Sequence, residues 1–480
     1  MKSKVVSGLS WSMAEKLLTE FVNLCITIVL SRLLLPEHYG TVALIQVFIS
    51  ISTIFVTCGL GNSLVQKKDP DDTEYATMFY INVLIGLFLY LVIFAASPLI
   101  ANFYENGDLI PLIKVLALKI PIASIYNIQQ AYVQKRMEFK KFFFSSLSGT
   151  LISGIVGILM AMNGFGVWSL ITATLVDQTL DSLILFITTR WLPTGKISLI
   201  KTKPMFKFAY KIILSEFVSR AYEQIRSLAI GKAFSPSDLA YNSKGQKFPQ
   251  MIIEVTNTTI IRVISPTFSE YQDDKIKMVA AARRSVSVSS FLLAPLLIGM
   301  AATANHLVPL IFTDTWNACI PFLQLYCFTY LFQPIHSINL KIIQSVGRSD
   351  IALKIELFKK GMGLIFLAIA VFVFKNALIA AASFTAMSLV ALFVNAYPCK
   401  ILIGYGLVDT FKDSMPSIIL AVVMGSIVYL LGIFIISDWL ALFIQVTSGA
   451  IIYMCLCFVF KLEPMRYLLG YLVERSKNGR

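Results

Sequence analysis

Thirteen ionisable side chains stand in stretches that are otherwise apolar, among them Glu15, Lys16 and Glu254, and they carry the chemistry open to this chain. Glu216, Arg220, Glu223 and Arg226 recur at intervals of three and four. At about 100° per residue they share one sector of roughly 120° on a helix. Asp177 and Asp181, at i and i+4, form a smaller acidic pair, while Glu20, Lys114, Lys119 and Arg262 are more scattered. Guanidinium groups keep their charge at any accessible pH and meet phosphate oxygens bidentately. Arg220, Arg226 and Arg262, with Lys114 and Lys119, are therefore candidate binders of an anionic substrate. Glu20, Glu216, Glu223, Asp177 and Asp181 are candidate counter-charges able to take up a proton or a sodium ion. The plainer alternative is that Glu216 with Arg220 and Glu223 with Arg226 simply neutralise one another. That accounts for a single pair better than for the stripe, because apolar contacts hold a bundle without desolvating charge. A hydrated cavity lined by the first, seventh and eighth helices accounts for the set.

No pattern points to a catalytic residue or a metal site. The seven cysteines lie mostly in apolar runs without CxxC spacing and read as small core residues. There is no Walker A sequence, so direct ATP hydrolysis is not expected. His306 and His336 could shuttle protons but read first as packing residues. Pro295, Pro309, Pro321 and Pro334 are expected to interrupt the ninth and tenth helices.

The elements that position these residues are membrane spans. The 480 residues are 57% hydrophobic and 14% charged, which excludes an ordinary soluble protein. Apolar runs of about 20 residues are long enough to cross a hydrocarbon core. They predict fourteen helices near 11–35, 40–62, 76–101, 109–133, 142–162, 164–188, 206–232, 248–268, 285–312, 317–341, 355–375, 377–398, 416–437 and 438–460. The net charge of +14 would suggest nucleic acid in a soluble chain. Here thirty Lys and Arg fall in the N-terminus and alternate connections, and only Arg32, Lys232, Lys244, Lys247 and Lys375 fall in the opposite ones. That asymmetry places both termini in the cytoplasm and leaves no role for nucleic acid. The basic N-terminus resembles a secretory signal, but Glu15, Lys16 and Glu20 interrupt its apolar stretch, so it is expected to be retained as the first helix.

Residues 17–22, Leu-Leu-Thr-Glu-Phe-Val, recur at 213–218 as Ile-Leu-Ser-Glu-Phe-Val, and Leu35-Pro36-Glu37-His38-Tyr39-Gly40 corresponds to Ser235-Pro236-Ser237-Asp238-Leu239-Ala240. The repeat predicts an all-α fold of two six-helix bundles related by a pseudo-twofold axis along the membrane normal. The expected units are 1–205, 206–399 and an additional C-terminal helix pair with its tail over 400–480.

Residues 30–40, Ile230-Gly-Lys-Ala-Phe-Ser-Pro-Ser-Asp-Leu-Ala-Tyr241 and Val263-Ile-Ser-Pro-Thr-Phe-Ser-Glu-Tyr-Gln-Asp-Asp274 resemble the polysaccharide transporter family of Wzx-type flippases, in its colanic and teichuronic acid exporter branch. The superfamily also holds MATE exporters and the lipid II flippase MurJ. Ala240 departs from the Gly that these relatives often carry. The resemblance implies a bacterial inner-membrane protein, not an enzyme, that moves undecaprenyl-pyrophosphate-linked oligosaccharide outward by alternating access for surface, capsular or exopolysaccharide assembly. Its implied partners are the lipid-linked oligosaccharide, membrane lipids and polysaccharide polymerase machinery. No cofactor is expected beyond proton or sodium coupling. The rival readings are a MATE-like drug exporter, which would want an acidic, aromatic site for organic cations, and a membrane glycan polymerase or ligase, which would want a large external loop.

Overall fold

In the computed structural model, residues 2–466 are described, with side chains left aside at 2–10, 255, 258, 259, 262, 263, 265 and 266. Among the described residues there are helices and connections but no strand. Among the described residues, eleven helices or broken helices are long and apolar enough to span a membrane. Three further helices, α1 (Lys2–Leu33), α9 (Leu199–Ala233) and α10 (Pro236–Glu270), exceed thirty residues but carry charge along their length and are not among those eleven, so the expected fourteen is an approximate count. Contacts divide the chain into two compact units, Met1–Ala240 and Tyr241–Arg480.

The first unit also contains α2 (Pro36–Thr57), α3 (Leu60–Gln66), α4 (Asp72–Phe103), α5 (Leu109–Leu116), α6 (Lys119–Lys135), α7 (Phe139–Met162) and α8 (Val167–Thr189). Two of its spans are broken. The second divides at Cys58-Gly59 into α2 and α3, which frees backbone carbonyls that lipid cannot satisfy. Side-chain amides take that place: Asn82 Nδ2 donates to Val56 O at 3.0 Å, Asn127 Nδ2 to Thr57 O at 2.8 Å and Asn62 Nδ2 to Cys58 O at 2.8 Å. The fourth divides at Ala117-Leu118 into α5 and α6. The α7–α8 hairpin turns through Gly164 and Gly166, both at positive φ. Glycines on α7 let its neighbours approach: a Cβ at Gly157 would lie 2.9 Å from Ala173, and one at Gly154 would overlap Ile26 of α1.

Basic connections gather at one end of this unit. Lys67 pairs with Glu74, Lys135 donates to the carbonyls of Val65 and Lys67, and Lys201 meets Asp71 at 2.8 Å. The segment after α8 is strapped along α4, with Tyr80 Oη donating to Pro193 O and the Ser198 amide donating to Thr77 Oγ1, each at 3.0 Å. Trp191 is buried against Tyr75 and Tyr132.

The seventh and eighth helices are longer than their apolar cores predict. The external loop expected over 233–247 is absent, since α9 ends at Ala233 and α10 begins at Pro236. Pro236 is preorganised for a first helical turn. The Ser235 amide and hydroxyl donate to Asp238 Oδ2, and the Asp238 amide donates back to Ser235 Oγ. Lys244 and Lys247 are thus helical. Gly40 in α2 packs against the Pro236 carbonyl so closely that a Cβ there would overlap it. The two repeated motifs, Leu35–Gly40 and Ser235–Ala240, therefore touch.

The second unit contains α11 (Lys275–Ile311), α12 (Ile320–Leu331), α13 (Gln333–Ser345), α14 (Ser349–Ile369), α15 (Ala377–Ile403), α16 (Leu407–Ile433) and α17 (Asp438–Val459). Here the prolines meet expectation in the tenth span, which breaks beside Pro334, but not in the ninth. Pro295 and Pro309 lie inside an unbroken α11, whereas Pro321 and Pro334 sit in the first turns of α12 and α13, where a missing N–H costs nothing. The break at Phe332 divides the tenth span as Ala117-Leu118 divides the fourth, six spans apart, as a repeat requires. Cys319, Cys327, Cys399 and Cys457 are buried, while Cys25 and Cys455 are exposed.

Candidate functional site

The first unit brings together polar groups that the sequence scatters over four helices. Asp177 Oδ1 of α8 accepts from Thr150 Oγ1 of α7 at 3.1 Å, with Ser153 Oγ at 3.5 Å. Lys119, at the start of α6, is close enough to Asp177 to attract it. One turn along, Asp181 meets the hydroxyls of Ser145 and Tyr126, and its Oδ1 is buried with no hydrogen-bond partner among the described residues. Glu15 of α1 joins through Ser146, whose Oγ also lies 3.5 Å from Thr19 Oγ1. Three carboxylates therefore share this interior with Lys119, while Lys16 also bears on Glu15, and a bound proton or monovalent cation would offset the negative charge that remains. Among the described residues no three of His, Cys, Asp or Glu converge closely enough to hold a metal ion on their own.

The spacing of Asp177 and Asp181 was legible, but their partners were not. Thr150, Ser153, Ser145 and Tyr126 carry no charge to mark them, and only the packing of α6 and α7 on α8 brings them in. Glu15 stood out as an intramembrane charge without a role.

The charged stripe of α9 is a separate feature. Glu216 and Arg220 are half exposed, at 44% and 56%, with Arg220 Nε 4.0 Å from Glu216 Oε2. Glu223 is exposed, and Arg226 is half-buried and engaged with a neighbour. On α1, Glu20 is exposed, more so than its half-buried repeat counterpart Glu216. Lys114 and Lys119 do not act together, because the break between α5 and α6 turns Lys114 toward the Phe94 ring, 4.5 Å from its centroid. The Arg262 side chain lies outside what is described. Both histidines are held by hydrogen bonds: His306 Nδ1 is 2.7 Å from Asp438, and His336 lies between Ser388 at 3.1 Å and Asn395 at 3.3 Å.

The sequence model of a family described as polysaccharide biosynthesis protein matches residues 29–321. The lipopolysaccharide biosynthesis protein WzxC of Escherichia coli (strain K12) is 26% identical over 366 residues, covering 75% of this chain and 73% of that protein. The teichuronic acid biosynthesis protein TuaB of Bacillus subtilis (strain 168) is 21% identical over 468 residues, covering 94% and 95%. Among solved structures, the lipid II flippase MurJ in an inward closed conformation has a TM-score of 0.73 over 94% of this chain and 98% of that one, at 15% identity. That last likeness is one of fold.

Proposed function

The chain belongs to the polysaccharide biosynthesis protein family of multi-pass membrane transporters, and from that premise we propose that it flips lipid-linked oligosaccharide units, carried on undecaprenyl pyrophosphate, across the bacterial inner membrane. It acts as a transporter rather than an enzyme. The observation that carries this reading is the open face of α9. Arg220 meets Glu216 only at the 4.0 Å limit and with both side chains half exposed, a geometry worth about 0–1 kcal/mol. Such a pair does not explain a guanidinium in the middle of a membrane helix, whereas a diphosphate in a hydrated path does. Arg226 and Arg262 are the further cations such a path would use, whereas Lys114 turns to Phe94 and Lys119 to Asp177. With the basic connections cytoplasmic and the cell interior negative, moving about two negative charges outward is favoured by roughly 2.3 kcal/mol per charge per 100 mV. Glu20, Glu216, Glu223, Asp177 and Asp181 are the counter-charges, and the Asp177, Asp181 and Glu15 group is the place for a coupling proton or sodium ion.

The acidic group alone would favour a drug-cation exporter. The guanidinium groups on α9 argue against it, because they would repel an organic cation. A polysaccharide polymerase is the partner that would consume the exported unit.

Depletion of the protein should make lipid-linked oligosaccharide accumulate in the cytoplasmic leaflet. At equal membrane abundance Arg220→Lys should retain part of the export and Arg220→Ala none, since Lys keeps the charge and loses the fork. Rescue of Arg220→Ala by adding Glu216→Ala would show a mere charge pair and refute the phosphate role.

A further inference from the structure

A groove of about 750 Å³ runs between α3, α4 and the first turns of α9, within the first unit. Its walls are apolar, from Leu60, Ile85, Phe206 and Ile213, and its only charged lining residues are Lys203 and Lys207. The volume lies within the 300–1,000 Å³ or so of small-ligand pockets. The groove opens outward, as its rim shows: Ile200 is 89% and Tyr210 54% exposed.

The two lysines are placed differently from their neighbour. Lys201 is tied to Asp71, whereas Lys203 and Lys207 are exposed and, among the described residues, meet no carboxylate. They stand at i and i+4 on one helix face, so their stems start about 5–6 Å apart. They also lie at the end of the unit where Lys67, Lys135 and Asp71 gather, which the charge asymmetry assigns to the cytoplasm. An apolar trough with two adjacent ammonium groups at its mouth matches a ligand with a hydrocarbon tail and two adjacent phosphates. A phosphodiester phospholipid offers a single charge there.

We propose that this groove is a cytoplasmic-side docking site for a polyprenyl diphosphate, with part of the tail seated between Ile85, Phe206 and Ile213 and the diphosphate held by Lys203 and Lys207. It rests on the reading that the cargo is lipid-linked, and it gives that cargo a loading point apart from the α9 stripe. The break at Cys58-Gly59 makes the trough possible. Gly59 admits α9 so closely that a Cβ there would come within 2.5 Å of the Ile213 side chain, while Leu60 on the far side of the break forms the wall.

The test uses the full-length chain in phosphatidylcholine nanodiscs with a diazirine-bearing polyprenyl diphosphate. Label should appear in the peptide over 200–213 and be competed by undecaprenyl diphosphate, but weakly by undecaprenol, phosphatidylglycerol or inorganic pyrophosphate. Lys203→Ala with Lys207→Ala should weaken that competition roughly thirty-fold, two surface cations acting together, and the paired Arg variant should retain it. Label elsewhere, equal competition by phosphatidylglycerol, or no effect of the paired Ala variant would overturn the proposal. A chain that exports oligosaccharide without labelling at the groove refutes the docking site alone. A chain that labels there but exports nothing refutes the transport reading alone.

Discussion

Asn127→Leu tests whether a broken membrane helix is held by borrowed amides. In the native protein Asn127 is 6% exposed, and its Nδ2 donates to Thr57 O at 2.8 Å beside the Cys58-Gly59 break. Leucine is close in size, so the substitution leaves the Thr57 carbonyl without its donor in an apolar surrounding, which costs about 1–3 kcal/mol. One term offsets this. Asn127 Oδ1 is itself buried with no partner among the described residues, so leucine also removes an unsatisfied oxygen. The net loss is therefore about 1 kcal/mol, near the average for side-chain hydrogen bonds inside membrane proteins. Asn127→Asp should lose more, about 3 kcal/mol or above, because it removes the donor and places a charge without a cation beside carbonyl oxygens. Thermal unfolding of the detergent-solubilised protein, followed by its helical circular dichroism, should show a fall of a few degrees for Leu and a clearly larger one for Asp. Equal melting of native, Leu and Asp forms would mean that the break is satisfied by other means and would refute the reasoning.

Gly40→Ala should destabilise the protein by about 1–3 kcal/mol, because the new Cβ has only the rigid Pro236 backbone to displace; unchanged melting would remove that contact from the account. Arg348 bonds Asp350 through Nε at 2.9 Å and Nη2 at 3.0 Å. Both side chains are half exposed, so Arg348→Ala should leave thermal melting nearly unchanged; a clear fall would show that the pair holds the start of α14. Cysteine introduced at Lys140 should be labelled only from the cytoplasm and one at Asn106 only from outside; reversed labelling would sink the topology.

Composition and loop charge were enough to read an all-α, many-span chain, because lipid leaves the backbone no other open course and hydropathy reports it directly. Helix ends read less well. The apolar core of α10 begins well after its first turn, so hydropathy missed the Ser235-Pro236-Ser237-Asp238 cap that starts the helix at once. Prolines misled in the other direction, since Pro295 and Pro309 break nothing while Cys58-Gly59, with no proline, breaks a span. The acidic pair of α8 was visible by its period, yet Tyr126, Ser145 and Thr150 were not, because an uncharged hydroxyl becomes part of a site only when another helix is brought to it. The Lys203 and Lys207 groove was hidden for a related reason: basic residues near a membrane end are first explained by sidedness, and only the packing of Ile213 on Gly59 shows that these two border a trough.

Helix α9 is pinned at two points, Lys201 to Asp71 before α4 and Lys232 to Glu105 after it. The pins are 31 residues apart in sequence, about 46 Å along a helix, and they make α9 a strut lying parallel to α4. A strut held at both ends cannot slide by a turn without losing a pin, and between the pins Phe217 packs on Phe55 of α2, ring centroids 5.8 Å apart. The midpoint falls between Glu216 and Phe217. The charged stripe begins at that midpoint and runs toward the Lys232 pin, while the Lys203 and Lys207 groove sits beside the Lys201 pin. Both pins are solvent-facing ion pairs, weak singly and screened by salt, so rising ionic strength loosens the two ends of the strut and leaves its packing on α2 in place.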